Sequence, residues 1–357
     1  MGQQHLITKS NLRDTSWESQ DSGPLEAGQA RLKLDAFALT ANNVTYAAFG
    51  GPPMHYWNFF PSGNDAHGRV PVWGFATVAE STTEGIKAGQ RVYGYFPISE
   101  DLVVSPMRVS ERGFMDGAAH RQGLAPIYNS YAFTDTDPAY VEGTEPEQML
   151  FRPLYMTGWM ICDFLMEADP VPEAAIISSA SSKTAIAAAH SLQRRGVRTV
   201  GLTSPRNMDF VKATELYDEV LTYDEASTYS GDGTAAYVDF VGRPELTKTV
   251  HVACGDKLAH SMVIGVTDWE ASRVPSDDLP GPTPTLFFVP DYAANRAKQL
   301  PPGELDKRTG TDLVAFYPVS RKFVTPKALK GAEAITQAWL DTVDAKVPAD
   351  EGLVCSF

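Results

Sequence analysis

Cysteine is nearly absent from this chain: three in 357 residues, at Cys162, Cys254 and Cys355. An odd, widely spaced set excludes a disulfide framework and a cysteine-built metal cage, and predicts small core residues in a reducing compartment. No run of about 18 apolar residues occurs, so no membrane-spanning helix is expected. Met1 to Asn11 is polar and lacks the apolar core of a signal peptide. Leu6 stands where a myristoylation signal after Gly2 needs Ser or Thr. Positive charge is short as well, with 30 Lys and Arg against 44 Asp and Glu and a net charge of −14. That balance argues against nucleic acid or an anionic membrane surface as partner, and a cytoplasmic setting is expected. The seven histidines show no metal-ligand spacing. No Gly-x-Ser-x-Gly elbow is present, and Lys183-Thr184 lacks the glycines of a P-loop.

What is present is an apolar fraction of 43% and a length sufficient for two domains. In the first 150 residues, Arg31 to Leu39 alternates polar and apolar at period two, and Val70 to Glu80 and Arg91 to Phe96 follow as strands around the turn Gly85 to Gln90. The succession of short strands predicts a small, partly open barrel. From Leu154 the pattern changes. Leu154 to Met166 reads as a helix, Ala174 to Ile177 as a strand and Thr184 to Arg195 as its helix, stopped by Gly196. A strand at Thr199 to Thr203 and a helix at Asp209 to Leu216 come next. Glu219 to Leu221, Tyr237 to Val241, Thr249 to Cys254, Met262 to Val266 and Thr285 to Val289 are further short apolar runs, and His251 is read on a buried strand. Strands alternating with helices predict a doubly wound parallel sheet, an α/β fold.

The stretch Ala175 to His190 reads as strand, small-residue turn and helix, the opening of a dinucleotide-binding unit with every glycine of the G-x-G-x-x-G turn missing. Ser179, Ala180, Ser181, Ser182, Lys183 and Thr184 stand there instead. A helix N-terminus still offers unpaired N–H groups and partial positive charge to a phosphate. The bland alternative is an ordinary Ser/Thr cap with a solvated lysine. The second strand runs into Thr203-Ser204-Pro205-Arg206-Asn207, with no carboxylate before Asp209. A carboxylate there would suit the 2′-hydroxyl of NAD, whereas Ser204 and Arg206 suit a 2′-phosphate. The cofactor expected is therefore NADP(H).

Trp73-Gly74-Phe75-Ala76-Thr77-Val78, the segment Gly85 to Gly94, Thr157-Gly158-Trp159 and the terminal Glu351 to Phe357 resemble the medium-chain dehydrogenase/reductase superfamily. Asn42 to Ala47 and Ser178 to Ala185 narrow the resemblance to an uncharacterised, quinone-reductase-like branch. The resemblance implies a GroES-like, partly open β-barrel at 1–150, completed by 300–357, and a Rossmann-type nucleotide-binding domain at 151–299. It implies that Tyr223 lies against the 2′-phosphate, and that Tyr46 and Asn43 lie on a barrel loop facing the cofactor cleft. Dimers are common among similar proteins, so a homodimer is expected. The family's zinc-binding Cys and Gly-His-Glu are replaced by Asn42 to Thr45 and Trp73 to Phe75, so the expected enzyme is independent of zinc.

Such a member reduces an enone, a quinone or a related small carbonyl compound. Tyr46 is the expected proton donor, with Asn43 beside it. Tyr56 and Trp57 in one aromatic run, and His120, Tyr128, Asn129 and Tyr131 in the long segment Arg112 to Pro146, are candidate substrate-binding residues. Two other readings stay open at this point. One is a cofactor-independent carbon–carbon hydrolase or lyase acting on a ketone; the other is a non-enzymatic ligand-binding protein.

Overall fold

Period-two alternation builds the first part of the chain. In the computed structural model, which describes residues 2–264 and 279–357, Ala30, Leu32 and Leu34 of the strand Ala30–Leu39 are buried while Arg31, Lys33 and Asp35 are not. This strand pairs antiparallel with Pro71–Ser81, which pairs with Arg91–Pro97. They form the middle of a nine-stranded sheet, and Gly2–Thr8, Asn11–Gln20 and His67–Gly68 form a three-stranded one. The C-terminal strand Glu351–Ser356 joins the larger sheet, antiparallel to Ala30–Leu39 and parallel to Thr325–Lys330.

The chain divides into two compact units, 1–150 with 325–357, and 151–324. The return to the first unit begins at Thr325 rather than at 300. Helices Val289–Gln299 and Glu304–Ser320 belong to the second unit, where buried Phe316 packs on Phe151 and Tyr155.

The second unit holds a six-stranded parallel sheet. Across it run Glu219–Thr222, Arg198–Thr203, Ala174–Ile177, Ala235–Asp239, Leu258–Val263 and Thr285–Leu286, an order of 3-2-1-4-5-6 in chain sequence. That is the doubly wound dinucleotide-fold order, with the reversal between the first and fourth strands. All four residues of Ala174–Ile177 are buried, as a central parallel strand requires. Two readings need correction. Pro244–Cys254 is a helix, so His251 is not on a strand; buried Leu246, Val250 and Cys254 recur every four residues, a period that the window 249–254 was too short to show. The run Met262 to Val266 is a strand as far as Val263, and Gly265 and Val266 lie outside the described residues. The three cysteines are free and buried, and burial pushes the Cys254 thiol up to about 11.

Gly158 lets the helix Glu145–Met166 approach the helix Lys183–Gln193, whose Ala185, Ala187, Ala188 and Ala189 are fully buried. A Cβ at Gly158 would stand 2.4 Å from Ala188 N and 2.7 Å from Ala187 C. Backbone cannot step aside as a side-chain tip can. Gly158→Ala is therefore expected to cost about 1–3 kcal/mol, read as a lower urea midpoint at unchanged m-value. A midpoint equal to wild type would mean that the two helices separate freely.

Candidate functional site

In the second unit, the turn after the first strand is held by an anchor that sequence reasoning missed. Ser178 Oγ donates to Asp239 Oδ1 at 2.7 Å and accepts from the amides of Phe240 and Val241 at 2.8 and 3.1 Å. The buried Asp239 carboxylate also accepts from Val241 N, Gly242 N and Thr247 Oγ1 at 3.0, 3.1 and 3.3 Å. This clasp joins the first and fourth strands where the sheet order reverses. A lone carboxylate inside the apolar run 237–241 was its only signal.

Ser179 then adopts φ 51°, the left-handed conformation that glycine usually supplies. Ala180 is fully buried, and its methyl fits because Gly201 of the second strand has none: a Cβ there would lie 3.0 Å from Ala180 Cβ and 2.9 Å from Tyr217 Cδ1. The glycine missing from the turn stands on the neighbouring strand. Tyr217 Oη donates to Ala180 O at 2.9 Å, and Ala180 N donates to Leu202 O at 3.0 Å. Ser182 caps the helix Lys183–Gln193 by accepting from Ala185 N at 3.3 Å, and Ser181 Oγ accepts from Asn207 Nδ2 at 2.9 Å. The amides of Ser181 and Thr184 have no acceptor among the described residues.

At the end of the second strand Thr203 is fully buried, and its hydroxyl has no partner among the described residues. Ser204 precedes the short turn Pro205–Asn207, on which Arg206 is exposed. Tyr223 reaches back to the turn. Its hydroxyl takes hydrogen bonds from the Ser179 amide and hydroxyl, and burial raises its pKa although the Arg243 guanidinium opposes the rise. Arg243, a residue the sequence reading did not single out, lies 5.6 Å from the Tyr223 ring centre.

In the first unit, Tyr46 and Asn43 stand on a helix, Ala41–Ala48, and not on a loop. Thr40 and Asn43 form its capping box: Thr40 N donates to Asn43 Oδ1 at 2.7 Å, and Asn43 Nδ2 donates to Pro71 O at 2.8 Å. Asn43 is therefore committed to setting the helix that carries Tyr46. Val44 and Thr45, both β-branched, hid so short a helix in the sequence.

Tyr46 lies in a buried cluster with Tyr56, Phe59, Phe60 and Tyr95. Its hydroxyl accepts from Trp73 Nε1 at 3.2 Å. Ring centres lie 4.7 Å from Tyr56, 5.4 Å from Tyr95 and 6.1 Å from Tyr128. The hydroxyls of Tyr56 and Tyr128 are 3.4 Å apart. Phe49, Met54, Trp73, Leu124 and Tyr128 are only partly buried against the cluster and form its apolar rim. Burial raises the pKa of Tyr46, Tyr56, Tyr95 and Tyr128, so all four phenols hold their protons at neutral pH. They are donors, not bases.

The remaining expected substrate residues fall in two other places. Asn129 and Tyr131 belong to the frame that carries Tyr128. Tyr131 Oη donates to Tyr95 O at 2.8 Å and accepts from Arg121 Nη1 at 3.2 Å, and Asn129 Nδ2 donates to Arg121 O at 3.4 Å. Trp57 and His120 line a different cavity of about 510 Å³ with Lys9 and His67. Among the described residues no group of three or more His, Cys, Asp or Glu side chains is arranged to hold a metal ion.

Comparison with known proteins places this geometry. Residues 37–348 match the family model described as Protein of unknown function (DUF2855). The chain belongs to that family. No curated protein matches it by sequence. Among solved structures, CurA from Vibrio vulnificus superposes with a TM-score of 0.66 at 11% identity, covering 100% of this chain and 98% of that one. CurA in complex with NADPH gives 0.65 at 12% identity, covering 99% and 98%. A mutant form of enoyl thioester reductase from Candida tropicalis gives 0.59 at 13% identity, covering 100% and 99%. The fold of this DUF2855 protein is the one these structures share, a GroES-like domain with a Rossmann domain.

Proposed function

We propose that the protein is a zinc-independent, NADPH-dependent reductase of a small conjugated carbonyl compound. The observation that carries this reading is the turn at the reversal of the 3-2-1-4-5-6 sheet, whose Ser181 and Thr184 amides have no acceptor among the described residues. The residues fit the nucleotide. Ser179 takes the left-handed conformation without glycine, and Gly201 gives Ala180 the space that a close approach needs. The Ser181 and Thr184 amides and the Lys183 ammonium would hold the pyrophosphate, while Ser179, Ala180 and Ser182, whose amides are already bonded, would shape the turn. Thr203, with its unpaired hydroxyl, would lie at the adenosine ribose, and Ser204, Arg206 and Asn207 would hold the 2′-phosphate. Tyr223 and Arg243 would close over the turn.

The chemistry that NADPH supplies is hydride addition to the electrophilic carbon of a polarised double bond. Tyr46, kept protonated by burial and oriented by Trp73 Nε1, donates a hydrogen bond to the substrate oxygen as negative charge develops there. The rim of Phe49, Met54, Trp73 and Leu124 favours an apolar substrate body and keeps water from the phenols. Neighbouring structures that include an NADPH complex support the cofactor. A soluble small-molecule enzyme, cytoplasmic and dimeric, is the setting that goes with this reading.

Arg206→Ala is expected to weaken NADPH binding at least tenfold and to leave NADH binding unchanged, because a guanidinium–phosphate pair is charge-assisted. Titration by thermal shift and intrinsic fluorescence reads both. A folded protein that binds neither nucleotide would end the reductase reading and return attention to cofactor-independent chemistry.

A further inference from the structure

We propose that Tyr95 is a second hydrogen-bond donor, beside Tyr46, to one substrate oxygen, and that the phenol cluster is a binding site for planar, delocalised oxyanions such as enolates. The proposal rests on the reading of the first unit as the substrate-binding part of a reductase, and it adds a residue and a ligand class to that reading.

Tyr95 is fully buried, and its hydroxyl has no partner among the described residues. A bare hydroxyl in a core is costly, and protein interiors seldom keep one without a use. Looseness is not the explanation. The backbone of Tyr95 pairs with Trp73 in the sheet, and its carbonyl accepts from Tyr131 Oη at 2.8 Å. The ring is fixed between Tyr128 at 4.8 Å, Trp73 at 4.9 Å and Tyr46 at 5.4 Å. The hydroxyl is thus held rigidly among phenols with a hydrogen bond left to give.

The surroundings select the ligand. The donors gathered here, the phenols and the Trp73 indole N–H, are neutral. A compact anion such as phosphate or carboxylate would lose more hydration than neutral donors return. A delocalised oxyanion is less strongly hydrated and carries a flat apolar body that Trp73, Phe49 and Met54 would cover. Hydrogen bonds from phenols to such an oxygen are charge-assisted and strengthened by the low local dielectric. Burial, with the neighbouring phenols, raises the Tyr95 pKa and keeps its proton in place to donate, and the Arg121 charge only partly offsets that rise. Binding needs no bond made or broken: the ligand proton leaves to solvent and the phenols keep theirs.

The test uses 2-naphthol with the intact protein and no nucleotide, following the naphtholate absorbance against pH, and 2-methoxynaphthalene as a neutral control. Bound naphthol is expected to ionise at lower pH in wild type than in Tyr95→Phe, because a phenol donor offsets part of the cost of burying the anion. Tyr95→Phe and Tyr46→Phe should each weaken naphtholate binding about tenfold and leave 2-methoxynaphthalene binding unchanged. Tyr229→Phe, in the other unit, should change neither. Tyr95→Phe should also keep or raise the Tm, since it deletes only an unpaired hydroxyl. A merely structural Tyr95 would instead lower the Tm and weaken both ligands alike. Bound naphthol that ionises at the same pH in Tyr95→Phe and wild type, or equal naphtholate affinity in the two, overturns the proposal. Because nucleotide is absent, a failure here leaves the NADPH titration standing, and a failure to bind NADPH leaves this result standing.

Discussion

Arg121→Met is expected to destabilise the first unit by about 3–5 kcal/mol. Arg121 and Asp116 form an ion pair at 3.3 Å with side chains 1% and 2% exposed. Few positions in the chain concentrate as many tasks. The guanidinium lies 4.5 Å from the Phe60 ring centre and donates to Phe59 O and to Tyr131 Oη. Asp116 Oδ1 meanwhile accepts from the amides of Ser105 and Ala118 at 2.9 and 3.0 Å. Removing the cation leaves a buried carboxylate without its counter-charge, and that loss outweighs the methionine's better transfer free energy. Asp116→Leu with Arg121→Met removes both charges and should recover part of the loss, limited because the Ser105 and Ala118 amides then lose their acceptor. Urea unfolding of the two single variants and the double variant gives the coupling. A coupling below about 0.5 kcal/mol, the limit of additivity for independent sites, would show that the pair does not hold the segment that carries Tyr128. If it does hold it, Arg121→Met also loosens the phenol cluster, and naphtholate affinity falls with stability.

The parts of the fold legible in the sequence are those whose signal is a long local period. The strand Ala30–Leu39 and the unit from Ala174 to Gln193 carry patterns that tertiary contacts do not override. Helices Ala41–Ala48 and Pro244–Cys254 escape such a pattern because one is only eight residues long and the apolar run 249–254 spans fewer than two turns of the other. At the site, the individual phenols Tyr46, Tyr56 and Tyr128 could be picked out one by one, but their assembly could not. Tyr95 was within reach: it shares parity with Tyr93 on a strand, and its cross-strand partner is Trp73. Asp239 and Arg121 were not. Their importance comes from what they touch far along the chain, Ser178 in one case and Phe59 with Tyr131 in the other. Gly201 makes the same point about the turn. The glycine count of a local motif looked wrong because the space it creates is made by a residue on the next strand.

Acid should destabilise the protein most through the two histidines lowered furthest by burial, one in each unit. His5 is fully buried against Trp17, neither ring nitrogen has a hydrogen-bond partner among the described residues, and burial lowers its pKa to about 4. His190 is also lowered to about 4, by burial first and then by Arg194 and Arg195, with Asp312 opposing; its Nδ1 is 2.9 Å from Tyr155 Oη. The unfolded chain protonates both near the ordinary value of 6.5. Between that value and about 4 the unfolded state binds more protons than the folded one. Stability is therefore complete above pH 6.5 and is lost as pH falls toward the folded value, by about 2–4 kcal/mol for each group. Carboxylates titrate over part of the same range, so the informative quantity is a difference between variants. His5→Phe removes the proton-binding site and also two unsatisfied polar atoms. It should be more stable than wild type at pH 7 by about 1–3 kcal/mol, and the gap should widen by a further 2–3 kcal/mol or so by pH 4. The slope that remains in His5→Phe carries His190 together with His120, His251 and the carboxylates. Urea-unfolding free energies of the two proteins that run parallel from pH 7 to pH 4 would show that His5 is not held neutral by the fold.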